Sequence, residues 1–83
     1  MITSAQIRAA RGMLDWSRKD LAEHSGLSFS SMMRLESFQG VPASNYSTLT
    51  KIKETFEKAG IEFIGNENEG AGVRWKPKSK KEV

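Results

Sequence analysis

The hydrogen-bonding side chains of this sequence that suit recognition chemistry are concentrated in one stretch. Arg18, Lys19, Ser28, Ser30, Ser31 and Arg34 all fall between positions 18 and 34. The Arg34 guanidinium can pair in bidentate fashion with guanine O6 and N7, and a serine hydroxyl can donate to or accept from several bases. Phe29 and Met33 stand among these polar residues, and a phenyl ring can touch a thymine methyl. Residue types for other chemistry are scarce. The chain has no cysteine, which excludes disulfides and cysteine-based metal sites. His24 is the sole histidine, so a stable transition-metal site is not expected. No phosphate-cradling glycine loop, nucleophile–base pairing or metal-ligand cluster occurs, which argues against an enzyme and against a cofactor or small-molecule ligand.

The elements that must position these residues follow from caps and periodicity. Ser17 and Ser28 are placed to accept hydrogen bonds from unpaired first-turn N–H groups, each opening a helix. Asp20 adds negative charge to the positive end of the first of these helices. Gly26 stands where that helix must stop and the chain must turn. Leu21, Leu27, Met32 and Leu35 are spaced to meet in one apolar seam, and Ala22 lets two helices cross closely. The pattern predicts helices over Arg18–Ser25 and 29–37, a helix-turn-helix whose second helix projects outward.

Flanking segments complete the domain. Thr3 and Gln6 have capping-box spacing ahead of a helix over Ser4–Leu14, with Ile7, Ala10 and Leu14 on one face. Gly12 inside it costs about 1 kcal/mol relative to alanine. A fourth helix over 45–59 places Leu49, Ile52 and Phe56 on one stripe and stops at Gly60. Short β-prone runs at Ile61–Ile64 and 73–75 predict a hairpin, with positions 61, 63, 73 and 75 on one buried face. Two strands alone are marginal in water, so the hairpin should pack on the helices, pair with a second copy, or both. From Pro77 onward the chain is expected to be disordered. The division is therefore 1–60 for the helical domain, 61–76 for the hairpin extension (packing or dimerisation) and 77–83 for a basic tail.

The pattern Trp16-Ser17, Leu21-Ala22, Gly26-Leu27-Ser28, Met32, Leu35-Glu36 resembles the lambda-repressor-like (Cro/cI, or XRE) family of helix-turn-helix regulators, over residues 4–60. The resemblance implies a mainly α fold, a four-helix lambda-repressor-like bundle extended here by the β-hairpin and the disordered basic tail. It implies that Phe29, Ser30, Met33 and Arg34 lie at base-reading positions. Family members usually carry a polar side chain where Phe29 stands, and its alternative is to pack back onto Trp16 or a neighbouring helix. Arg18 matches a phosphate-contacting position, with a solvated surface arginine as the alternative, and Lys19, Ser28 and Ser31 are neighbouring backbone candidates. Ser44 and Asn45 match a second phosphate-contact region, or are simply caps. The residue matching Glu36 is usually structural. Trp16 matches a core position, and Trp75 on its alternating strand is expected in core or interface rather than stacked on bases.

Charge and length bound the mode of binding. Eighty-three residues with 37% hydrophobic composition allow one small domain. No long apolar run is present, so neither a membrane span nor a cleavable secretory segment is expected, and the lack of cysteine suits a reducing cytoplasm. Net charge is +3, yet residues 74–83 hold five basic side chains against one acid, while residues 1–73 hold eight against nine. The loop at 37–42 has no basic residue where the family often has one. A monomer should therefore bind DNA weakly and with strong salt dependence. The lysine-rich tail or a homodimer can supply the missing contacts. The expectation is a small bacterial or prophage-like regulator, a repressor, binding a near-palindromic duplex site as a homodimer with half-sites about one helical turn apart. The alternative is a protein-interaction module, or an antitoxin-type partner, that keeps the same fold.

Overall fold

Local capping decides where the helices begin. The computed structural model describes residues 2–37, 46–66 and 68–76. Helix α1 spans Ser4–Leu14, and Thr3 caps it: its Oγ1 accepts from the Gln6 N–H at 3.1 Å while Gln6 Oε1 accepts from the Thr3 N–H at 2.8 Å. Helix α2, Arg18–Ser25, starts with the same reciprocal arrangement between Ser17 and Asp20, at 3.0 and 2.9 Å. The Asp20 carboxylate thus does more than add charge, and the Ser17 N–H it accepts from holds its pKa below the usual carboxylate value. Helix α3, Phe29–Glu36, is capped by Ser28, whose Oγ accepts from the Ser31 N–H. It ends one residue short of the expected span, because the Ser37 N–H already bonds back to the Arg34 carbonyl in a tighter turn. Helix α4 spans Tyr46–Lys58. After it, Ala59 and Gly60 likewise bond three residues back. The expected start of α4 at Asn45, the phosphate candidates Ser44 and Asn45, and the tail at 77–83 lie outside the described residues.

Two helices end in left-handed backbone. Asp15 closes α1 at φ 59°, and Gly26 closes α2 at φ 80° with its N–H on the Ala22 carbonyl. Open space surrounds Gly26, so the demand for glycine there is conformational and not steric. Only Gly26, Leu27 and Ser28 separate α2 from α3.

Strands β1, Ile61–Ile64, and β2, Gly72–Trp75, form an antiparallel pair with Ile61 opposite Trp75 and Phe63 opposite Val73. Helix α1 packs on β2 and α4 on β1, while α3 rests on α1 and α2. The protein is thus mainly helical with a small two-stranded sheet. Its core joins Ile7 and Ala10 of α1, Leu21 of α2, Met32 and Leu35 of α3, Leu49, Ile52 and Phe56 of α4, and Ile61. Leu27 packs on it partly buried. Among the described residues no helix is long and apolar enough to cross a membrane.

The hairpin departs from the expected burial at one position. Ile61 is buried and Phe63 and Val73 are partly so, but Trp75 is 50% exposed although it shares their face. Its indole lies beside Gly60, past the last residue of α4. Gly60 itself is required there. Its φ is +102°, and a Cβ would stand 2.8 Å from the Lys76 carbonyl oxygen.

Polar ties then fix α1 to the rest. Gln6 Nε2 donates to the carbonyls of Gly72 at 2.8 Å and Ile64 at 3.2 Å, so one side chain closes the α1 cap and holds the hairpin. The Ser4 hydroxyl donates to the Leu35 carbonyl, and Arg8 donates to the carbonyl of Glu36.

Candidate nucleic-acid interface

Helix α3 has two sides with opposite character, set by the helical period. Met32 and Leu35 face inward and are buried at 1% and 4% exposure. Phe29, Ser30, Met33 and Arg34 fall on the outward side, and all four are exposed. The sequence-derived base-reading positions therefore share one surface.

The start of α3 gathers three hydroxyls. Ser28 Oγ donates to Ser31 Oγ at 2.9 Å and lies 3.3 Å from Ser30 Oγ. These groups stand at the positive end of the helix dipole, where first-turn N–H groups and hydroxyls favour anionic oxygen. Ser28 and Ser30 are exposed, and Ser31 is half-buried.

Arg34 makes no ion pair or side-chain hydrogen bond with another described residue. Lys19 is likewise exposed. Arg18 is exposed, and its Nε lies 3.4 Å from Glu36 Oε1. That contact is long, so the residue combines a loose internal tie with a mostly solvated guanidinium.

Glu36 is the hub of a structural ion pair. Its side chain is 1% exposed, and both carboxylate oxygens accept from Arg11, Oε2 from Nε at 2.6 Å and Oε1 from Nη2 at 2.7 Å. Arg11 Nη1 also donates to the Trp16 carbonyl at 2.9 Å. The hydrogen bond to Glu36 raises the Arg11 pKa, burial opposes the rise, and the carboxylate charge adds to it. Glu36 is thereby withdrawn from the surface, and the outward side of α3 carries a guanidinium with no free carboxylate beside it on that helix. The role of Arg11 is not marked in the sequence: its partner lies 25 residues away, and no local motif joins the two.

The aromatic residues divide differently. Trp16 stacks flat on His24, with centroids 4.1 Å apart and planes within 4°, and lies against Phe56 at 5.7 Å. Phe29 is 49% exposed, and the ring partners of Trp16 are His24 and Phe56, so the alternative that folds Phe29 onto Trp16 is not the arrangement seen. A separate concavity runs between α1, α4 and the hairpin, lined by Ile2, Tyr46, Leu49 and Phe63 among others. It shares no residue with the outward side of α3.

No protein-family model matches the chain, and no curated protein matches it. The geometry of α2 and α3 carries the functional reading.

Proposed function

We propose that the protein is a sequence-specific double-stranded DNA-binding regulator of the lambda-repressor-like helix-turn-helix type, with α3 in the major groove. One observation carries the reading: α3 is held to the core by Met32 and Leu35 while Phe29, Ser30, Met33 and Arg34, which has no side-chain partner among the described residues, are exposed together on its other side. A helix about 10–12 Å across fits the major groove of B-form DNA, about 12 Å wide. The Arg34 guanidinium pairs with a guanine edge, and Ser30 supplies a tolerant second contact. Arg18, Lys19, Ser28 and Ser31 lie toward the flanking phosphates, where charge and helix N-termini fix register rather than sequence. Ser44 and Asn45 are candidates for a further phosphate contact.

In this reading two copies bind a near-palindromic site, each placing α3 in one of two successive major grooves. Occupying such a site represses transcription, a cytoplasmic role in a bacterium or prophage-bearing cell. Selection from a random duplex library at near-physiological salt tests it. A palindromic motif with guanine in each half-site is the expected outcome, and the absence of any enriched duplex would contradict the proposal.

A second reading, a protein-interaction or antitoxin-type module, is favoured by one observation: Phe29 and Met33 are apolar and about half exposed. A protein partner whose capture survives Arg18→Ala and Arg34→Ala would establish it.

A further inference from the structure

The outward side of α3 is not uniformly polar. Phe29 and Met33 are four residues apart and form one stripe; Ser30 and Arg34, also four apart, form the adjoining one. Phe29 and Met33 are 49% and 48% exposed, and neither is among the partly buried side chains packed against the core. Among the described residues no core packing accounts for two large apolar groups placed there.

We propose that this apolar stripe reads the 5-methyl groups of two thymines lying beside the guanine met by Arg34. The inference rests on the DNA-binding reading above and specifies the half-site it recognises. In the major groove the thymine methyl is the apolar feature of a base pair, and it is the natural partner for an apolar side chain there. Four residues of helix rise about 6 Å along the axis. Two base-pair steps cover roughly 6.8 Å. The two stripes therefore span matching lengths of DNA, one apolar and one hydrogen-bonding.

Charge favours DNA over a protein as the occupant. The exposed cation on this side is Arg34, and the carboxylate of α3, Glu36, is buried against Arg11.

The test uses the full chain and a duplex from the random-library selection, with thymines in the half-site replaced by deoxyuridine, which removes only the methyl. Each replacement beside the guanine should weaken binding about 4-fold, and two should weaken it more than about 10-fold. In Phe29→Ala and Met33→Ala variants, checked for an unchanged circular dichroism spectrum, the same replacements should have little further effect. Equal affinity of the wild-type chain for thymine and uracil duplexes would overturn the inference while leaving DNA binding intact. A motif whose sensitivity appears only when cytosine is 5-methylated would also overturn it, by assigning the stripe to a different base. Failure to select any duplex would remove the DNA-binding reading itself. Loss of a protein partner in Phe29→Ala, with DNA affinity unchanged, would assign the stripe to that partner instead.

Discussion

Arg11 and Arg34 are the same side chain used in opposite ways. Arg11 is turned inward, with two bonds to the buried Glu36 carboxylate and a third to the Trp16 carbonyl. Arg34 projects from the exposed side of α3 with no partner among the described residues. Helix α3 is thus clamped to α1 on one side and exposed on the other. Guanidinium chemistry is expended on holding α1 to α3 in the first case and kept available in the second. The difference teaches that position relative to a buried carboxylate, not residue type, separates an arginine bound within the fold from one turned to solvent.

Four changes would break or sharpen that contrast. Glu36→Ala should have the largest effect, because it leaves Arg11 largely enclosed without its counter-charge: a loss of about 3 kcal/mol in unfolding free energy is expected from urea denaturation. A loss below about 1 kcal/mol would mean that the pair is not structural. Arg34→Ala should leave the urea midpoint nearly unchanged, yet cost roughly 1–3 kcal/mol of specific DNA binding and relax preference at one base position. Selection of the same sites with unchanged affinity would remove Arg34 from the proposed reading face. Gly26→Ala should follow, at about 1 kcal/mol of stability, because φ 80° strains any residue with a Cβ even where space is open. A cost near zero in thermal or urea unfolding would show that α2 can end in another conformation.

Asp20 gives the smallest effect and a defined pH window. Its folded pKa is lowered by the Ser17 N–H, so its contribution is present above the unfolded carboxylate pKa of about 3.9 and is lost as pH falls through the folded value. The stability difference between wild type and Asp20→Ala should be constant at neutral pH and shrink in acid. A difference that grows on acidification would reverse the assigned sign.

The helix limits were legible because their signals are local. Thr3, Ser17 and Ser28 each satisfy first-turn N–H groups within three residues, and Gly26 marks a backbone turn that few other residues make. The shared exposure of Phe29, Ser30, Met33 and Arg34 follows from the same period that buries Met32 and Leu35. The apolar seam of Leu21, Leu27, Met32 and Leu35 was legible too, but the long-range polar ties were not. Arg11 finds Glu36 across 25 positions, and Gln6 reaches the hairpin carbonyls across more than fifty. Trp75 follows the strand alternation and still lies half exposed. Alternation assigns a face, but only packing decides whether that face has a neighbour.

The central claim is that the outward side of α3 is the surface that meets DNA. Its most direct test is a titration of the isotope-labelled chain with a selected duplex, following backbone amide shifts by nuclear magnetic resonance. The account predicts that the largest changes fall at residues 28–34, with smaller ones at Arg18 and Lys19. Changes confined to the hairpin or to the concavity beside Tyr46 and Phe63, with residues 28–34 unmoved, would contradict it.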